Sequence, residues 1–180
     1  MYVPEIIIKR GDVVSSGTDA IIIPSDVELT NKKANKIVEA VLEIGNGDLI
    51  KEISSIGYCE MGNAVITQGY NLESKHLIFL PYCDSNNEKE QIDFVLLHKA
   101  LRSAFNLASL YKISTIAIPI FRFKVAKLNF IEKILNLKIF RSLLELEENN
   151  VFREGEVEDI IISVSSEFKD SGIKEVCIYK

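Results

Sequence analysis

The stretch that decides the fold is Ile6–Asp26, with the sequence IIIKRGDVVSSGTDAIIIPSD. It contains two short apolar runs, which predict β-strands over Glu5–Lys9 and Ala20–Ile23. A carboxylate follows each run, Asp12 after the first and Asp26 after the second. The pattern therefore predicts polar groups at one edge of a sheet, where a functional site can form.

Short apolar runs alternate with longer helical ones through the rest of the chain. Such alternation is typical of an α/β fold with a largely parallel sheet. Further strands are predicted over Gly62–Thr67, His76–Pro81, Thr115–Ile120 (broken by Pro119) and Glu175–Tyr179. Helices are predicted over Lys33–Ile44 (ended by Gly45 and Gly47), over a stretch that includes Phe94 and Ala108, and over Glu156–Phe168. The length of 180 residues corresponds to a single domain over residues 1–180.

Composition and charge restrict the class of protein. The chain is 47% hydrophobic and 26% charged, as in ordinary globular proteins, and its net charge of −5 argues against a nucleic-acid or membrane footprint over the whole surface. No apolar stretch approaches the roughly 20 residues of a membrane span, so we expect a cytoplasmic protein. Cys59, Cys83 and Cys177 lack metal-site spacing and are expected to be reduced thiols, with no metal or cofactor.

The opening stretch resembles the start of a macro domain, the module that binds ADP-ribose. In that family a strand runs into Gly-Asp-Ile or Gly-Asp-Val, as it does here at Gly11-Asp12-Val13. The next strand of the family runs into Asn-Ala-Ala-Asn, where this chain has Ile23-Pro24-Ser25-Asp26. Later motifs are similar to the family at Gly69–Leu72, Ile116–Pro119 and Lys174–Tyr179. The resemblance implies a three-layer α/β/α fold with a mixed, largely parallel central sheet of about six strands.

The resemblance also implies a binding site for ADP-ribose or a related adenine nucleotide metabolite. Asp12 matches the aspartate that accepts a hydrogen bond from the adenine amino group, and the backbone of Gly11 and Val13 would hold the ring edge. An ionised carboxylate suits that task because it only accepts hydrogen bonds. Alternatively, Asp12 simply forms a turn. Asp26 stands where the family has an asparagine that contacts the distal ribose, or else it caps the turn before Val27.

The two glycine-rich phosphate loops of the family have no counterpart in this sequence. Lys32 and Lys33 occupy the first of them, and either replace its amides as phosphate donors or form the solvated start of a helix. Arg122 and Lys124 follow the strand that leads into the second loop, and either lie around the phosphates or form part of a solvated face. Tyr179 would stack on the base, or is simply an aromatic residue at the sheet edge.

An extra segment over about 121–154 separates this chain further from the family pattern. Its middle, 127–147, contains no glycine or proline and is apolar on more than one face, which predicts an added helix. Such a helix must bury its apolar surface against the cleft of its own domain or against a second copy of the chain. The alternative function is therefore a degenerate macro-like domain with a plugged cleft, which acts as a structural or self-associating unit.

An ADP-ribosyl hydrolase is the activity that the resemblance would imply, but the sequence disfavours it. The family asparagine and both glycine loops are missing, and with them the preorganised donors that such chemistry requires. Asp26 as a general base has no partner in the sequence pattern. His98 falls opposite the apolar face of its helix and is interpreted as a solvated surface residue. We therefore expect a binding module with no catalytic residues.

Overall fold

The structure is a computed structural model that describes residues 2–32, 35–83, 94–121 and 154–180. Its strands are β1 (Glu5–Lys9), β2 (Ala20–Asp26), β3 (Val65–Gln68), β4 (His76–Cys83), β5 (Thr115–Pro119) and β6 (Glu175–Tyr179). Its helices are α1 (Lys36–Ile56), α2 (Phe94–Leu110) and α3 (Glu154–Glu167), together with a short 3-10 turn over Val13–Ser15.

The strands form one sheet of six strands in the order β1-β6-β5-β2-β4-β3. All neighbouring pairs are parallel except β3 and β4, which are antiparallel. This confirms the predicted mixed, largely parallel sheet. The carboxyl ends of β1, β2, β4, β5 and β6 consequently lie at the same edge of the sheet, which we call the carboxyl edge.

Helices cover both faces of the sheet, as the three-layer prediction requires. The first face, here the α1 face, buries one apolar cluster under α1 and the 3-10 turn. The second, the α2/α3 face, buries another cluster under α2 and α3. Strand β2 is buried throughout and contributes side chains to both clusters, because alternate side chains of a strand point to opposite faces. Ile21 and Ile23 lie on the α1 face, and Ala20 and Ile22 lie on the α2/α3 face.

Helix α1 consists of two helical segments that meet at Asn46. We expected Gly45 and Gly47 to end the first of them, and this is confirmed, because Asn46 between the two glycines has a non-helical backbone (φ 59°, ψ −160°). The sequence analysis did not predict the second segment, which runs on to Ile56. Leu49 and Ile53 in this second segment are completely buried, so it packs on the same apolar cluster as the first.

Several strand boundaries also differ from the predictions. Strand β2 continues for three residues past Ile23, since Pro24 and Ser25 still pair with Leu80 and Pro81 of β4. Pro119 does not break β5 but is its last residue, opposite Tyr179. The two ranges predicted for β3 and β4 are shifted to Val65–Gln68 and His76–Cys83. Ladder pairing, which local apolar patterns do not report, sets these limits.

The predicted insertion over 121–154, with its helix over 127–147, lies outside the described residues apart from its ends. Lys33, Arg122 and Lys124 lie outside them as well. The self-association expected of that helix therefore stays a prediction. None of the described helices is long and apolar enough to span a membrane.

Candidate functional site

Hydrogen bonds between neighbouring strand ends define the carboxyl edge. The amide of Lys180 donates to the carbonyl of Lys9 at 3.0 Å, which ties the end of β6 to the end of β1. The amide of Val27 donates to the carbonyl of Cys83 at 3.1 Å, which ties the end of β2 to the end of β4. These hydrogen bonds fix the main chain from which the polar residues after the strands extend.

Strands β2 and β5 part before they reach this edge. Their ladder consists of two pairs near the opposite edge, Ala20 with Ile116 and Ile21 with Ala117. Strand β2 leads through α1 to β3 and β4 on one side, whereas β5 leads through α3 to β6 on the other. The gap between β2 and β5 is therefore the topological switch point of the sheet, where open α/β sheets characteristically bind ligands.

The turn after β1 presents an exposed carboxylate. Gly11 adopts φ 131°, a conformation that strongly favours glycine, and directs the chain into the 3-10 turn. The Oδ1 atom of Asp12 accepts a hydrogen bond from the amide of Val14 at 2.9 Å, so Asp12 caps this turn. Val13 and Val14 are buried beneath it and anchor the turn on the α1 face. The turn-forming role of Asp12 is confirmed, and its Oδ2 atom has no hydrogen-bond partner among the described residues.

Tyr179 lies on the same side of the sheet as this turn. It ends β6 and pairs with Lys9 of β1 on one side and with Pro119 of β5 on the other. Its half-buried ring packs against the apolar cluster that includes Val13 and Val14. The structure thus brings Asp12 and Tyr179 to the same face at the carboxyl edge.

Asp26, the last residue of β2, is enclosed. It is 1% exposed, and neither carboxylate oxygen has a hydrogen-bond partner among the described residues. The hydroxyl of the neighbouring Ser25 is likewise buried and unpartnered within the described part of the chain. The amide of Leu29 donates to the main-chain carbonyl of Asp26, at 3.1 Å, and not to its side chain. The expectation that the Asp26 side chain caps the following turn is therefore wrong.

Two aromatic residues that sequence reasoning missed form a ring contact at the carboxyl edge. The register of β2 and β4 shifts here, because Ser25 pairs with Pro81 and Asp26 with Cys83, which leaves Tyr82 as an extra residue in β4. The ring of Tyr82 lies 5.4 Å from that of Phe121, centroid to centroid, at an interplanar angle of 50°. Burial, then the adjacent Cys83 and the carboxylate of Asp26, raise the pKa of Tyr82 to about 12, so its phenol is protonated at neutral pH.

The macro domain family model matches residues 29–130, which is more than half of the chain. The chain belongs to the macro domain family. A macro domain-containing protein of Methanosarcina mazei is 30% identical over 121 residues, which cover 66% of this chain and 62% of that protein. A homologue of the protein GDAP2 from Dictyostelium discoideum is 28% identical over 99 residues, which cover 54% of this chain and 17% of that protein. The match therefore spans less than two thirds of either relative.

Solved macro domain structures confirm the fold. The macro domain of ganglioside-induced differentiation-associated protein 2 superimposes with a TM-score of 0.66 at 17% identity and covers 100% of this chain and 81% of that one. The Trypanosoma brucei macrodomain in complex with ADP gives a TM-score of 0.68 at 15% identity, with 98% and 63% of the two chains covered. The same macrodomain in complex with ADP-ribose gives a TM-score of 0.65 at 16% identity, with 97% of this chain and 63% of that chain covered.

The remaining candidate residues of this macro domain are more dispersed. Lys32 is exposed in the turn that follows β2. His98 is half-buried and its Nε2 atom lies 3.0 Å from Oε1 of Glu167, whose Oε2 atom lies 3.0 Å from Nε of Arg102. The interpretation of His98 as a solvated surface residue is therefore wrong, since it joins α2 to α3. Sequence periodicity could not reveal a partner that lies on another helix.

The three cysteines of the macro domain are free thiols. Cys59 and Cys177 are buried, whereas Cys83 is partly exposed. Burial, and to a lesser extent the charge of Glu60, raise the pKa of Cys59 to about 11. Within the described ranges, no three His, Cys, Asp or Glu side chains are grouped so that they could hold a metal ion.

Proposed function

We propose that this macro domain is a divergent binding module for ADP-ribose or a related adenine nucleotide metabolite, and that it does not hydrolyse its ligand. The observation that carries the proposal is the exposed carboxylate of Asp12 at the carboxyl edge. One of its oxygens is committed to the amide of Val14, which fixes the side chain, and the other faces no described partner. A fixed acceptor of this kind suits an exocyclic amino group such as that of adenine.

The surroundings of Asp12 support a planar base as its ligand. Tyr179 shares the face of the sheet with the turn that Asp12 caps, and an aromatic ring there offers a stacking surface. Lys32 is exposed after β2 and is available to a phosphate. We assign phosphate contacts to Lys33, Arg122 and Lys124 as well, as proposals on residues outside the described ranges.

The sequence and the enclosed Asp26 together support binding without catalysis. The chain has Asp26 where catalytic relatives need a neutral side chain that both donates and accepts, and it has lysines and aromatic residues in place of the glycine loops. A general base must reach the water that it activates. The carboxylate of Asp26 is 1% exposed, so this base would be poorly accessible.

Isothermal titration with ADP-ribose, ADP and AMP tests the proposal. We expect dissociation constants in the micromolar range for at least one ligand, and weakening by roughly tenfold to a hundredfold in Asp12→Ser, because a hydrogen bond to a charged group is lost. Serine can still cap the 3-10 turn, so this variant separates ligand contact from folding. Asp48→Ser, which changes an exposed carboxylate of α1, is the matched control. Millimolar or absent binding of all three ligands would refute the proposal.

Hydrolysis is tested separately, by incubating the protein with an ADP-ribosylated protein and measuring free ADP-ribose. We expect no release above the buffer blank. Release that disappears in Asp26→Ala would show that the protein is an enzyme and that Asp26 takes part in the reaction.

A further inference from the structure

Strand β1 forms one edge of the sheet, and its outward main-chain groups are open. The amide of Glu5 and the carbonyl of Lys9 are both bonded to main-chain groups at the two ends of β6. Because main-chain groups alternate in direction along a strand, the N–H and C=O groups of Ile6 and Ile8 point away from β6. These groups have no hydrogen-bond partner among the described residues. An open edge of this kind is a template for a further strand.

The opposite edge of the sheet differs, because side chains of the same domain occupy its outward amides. Strand β3 forms that edge. The amide of Gln68 donates to Oε2 of Glu52 at 3.2 Å. The amide of Ala64, next to the start of β3, donates to the hydroxyl of Ser103 at 3.1 Å. Side chains that cap an edge in this way hinder the addition of a strand, so β1 is the edge that can accept one.

Strand β1 also exposes apolar surface. Ile6 and Ile8 pair with residues of β6 that belong to the apolar cluster of the α2/α3 face, so both point to that face. Ile6 packs against the cluster, whereas Ile8 is 46% exposed. Glu5 and Lys9 lie on the other face, at the two ends of the strand. A β-branched side chain such as Ile8 gains from burial against a neighbouring strand.

The sequence of β1 is complementary to itself when one copy is reversed. It reads EIIIK over Glu5–Lys9, with an acidic residue at one end, a basic residue at the other and three isoleucines between them. In an antiparallel pair of two copies centred on Ile7, each Glu5 lies opposite Lys9 of the partner subunit. Opposite charges at directly opposed positions stabilise such a pair. A shift of the centre to Ile6 or Ile8 would remove both ion pairs.

The same register also matches the open main-chain groups. With Ile7 on the two-fold axis, Ile6 of one copy lies opposite Ile8 of the partner subunit, and both present outward N–H and C=O groups. Opposed residues of this kind exchange both N–H···O bonds, and the two-fold axis repeats the exchange. The exposed side chain of Ile8 then lies beside Ile6 of the partner subunit on the α2/α3 face. Charge, hydrogen bonding and apolar burial therefore favour one and the same register.

We propose that β1 is a self-association surface, on which two copies of this macro domain pair their β1 strands antiparallel about Ile7 and join their sheets into one. The partner is a second copy of the chain, because Glu5–Lys9 supplies the charges and the register that the open edge requires. This surface is different from the 127–147 segment, and the association does not depend on the proposed ligand. The contact is small, so the dimer should be weak, with a dissociation constant in the micromolar range.

Sedimentation velocity from low micromolar to millimolar concentration tests the proposal. The wild type should pass from monomer to dimer. Glu5→Lys and Lys9→Glu should each weaken the dimer by about tenfold or more, because like charges then lie opposite each other at both ends of the pair. An equimolar mixture of the two variants should recover the dimer. In that mixture one copy carries two positive residues and the other carries two negative ones, so opposite charges meet again.

Glu43→Lys and Lys51→Glu are the matched controls. Both residues are exposed on α1, and each substitution changes the net charge as its counterpart in β1 does. Alone or mixed, they should leave the association unchanged. Ile8→Pro is a second disruptive variant, which removes an outward amide but no ladder bond to β6. It should abolish the dimer and keep a cooperative thermal unfolding transition.

Amide hydrogen exchange locates the contact. Exchange at Ile6 and Ile8 should slow as the concentration is raised into the range of the dimer. A wild type that stays monomeric at millimolar concentration, or a dimer that both charge variants leave intact, would refute the proposal. So would a mixture of the two variants that fails to associate. Protection of Ile6 and Ile8 at every concentration would show that another segment of the same chain covers the edge, which also refutes it.

Discussion

The carboxylate of Asp19 accepts two hydrogen bonds from Ser114, one from its hydroxyl at 2.8 Å and one from its amide at 3.1 Å. The amide of Thr115 donates a third, at 3.1 Å. These bonds join the start of β2 to the start of β5, next to the two residue pairs that form their ladder. Partial burial raises the pKa of the Asp19 carboxyl. The hydrogen bonds from Ser114 and then Thr115 outweigh this effect and hold the pKa below its ordinary value.

Asp19→Ala should destabilise the domain in a way that depends on pH. Because the folded pKa is depressed, the carboxylate stabilises the fold above its unfolded pKa of about 4 and loses this effect as the pH falls through the folded pKa. We expect a loss of about 1–3 kcal/mol in the free energy of unfolding at pH 7, shrinking below about pH 4. Urea unfolding at several pH values measures this. A loss that grows with acidity would contradict the assignment.

Asp48→Ala is the control for that experiment. Asp48 lies 3.2 Å from Lys51, and both side chains are largely exposed. An ion pair in water contributes little, so the variant should change the stability by less than about 0.5 kcal/mol at every pH.

Replacement by alanine should change the stability of the protein in opposite directions at two glycines. A Cβ atom at Gly69 would lie 1.7 Å from the carbonyl oxygen of Ser74, whereas one at Gly47 would meet nothing within 4 Å. Gly69→Ala should therefore destabilise the protein by about 3 kcal/mol or more, since the obstacle is main chain. Gly47→Ala, at the start of the second helical segment of α1 and without a positive φ, should stabilise it by about 0.4–1 kcal/mol. Thermal and urea unfolding measure the stability of both variants. Equal changes would show that the space around residues 69 and 47 does not differ as described.

Cys59 should react with iodoacetamide far more slowly than an ordinary thiol. Its pKa of about 11 leaves little thiolate at pH 8, and the side chain is 5% exposed. In protein carrying Cys83→Ser and Cys177→Ser, the labelling rate should keep rising with pH up to pH 10. A rate that levels off near pH 8.5 would show that the thiol is not buried.

Tyr179→Leu should weaken binding of AMP by roughly tenfold to a hundredfold, the usual value of a stacked base, while Tyr179→Phe should keep most of the affinity. Isothermal titration provides the measurement. Tyr111→Leu is the control, because Tyr111 is exposed at the end of α2, beside His76 at the start of β4. If Tyr179→Leu and Tyr111→Leu bind AMP equally well, Tyr179 does not stack on the base.

The local patterns of this chain predicted the order and type of the elements well. Glu5–Lys9 and Glu175–Tyr179 are strands with the predicted limits, because each is a short apolar run bounded by polar residues or turns. Predictions failed where pairing with a distant strand sets a boundary. Strand β2 extends past its predicted end at Ile23 to Asp26, because Pro24 and Ser25 still pair with Leu80 and Pro81 of β4.

The candidate site was predictable to the extent that it depends on residues close together in the sequence. The turn at Gly11 and the cap by Asp12 follow from a local motif that any chain with these residues favours. The pair of His98 with Glu167 could not be anticipated, because a partner on another helix leaves no trace in the spacing of its own helix.

The sequence by itself determined the family, the three-layer arrangement and the position of a carboxylate after each of the first two strands, because these depend on periodicity and short motifs. Only the tertiary structure decided that the two carboxylates differ in environment. Asp12 is exposed in a capped turn, whereas Asp26 is 1% exposed at the end of β2. The physical reason is that burial depends on which strands become neighbours in the sheet, and the neighbours of β2 are far from it in the sequence.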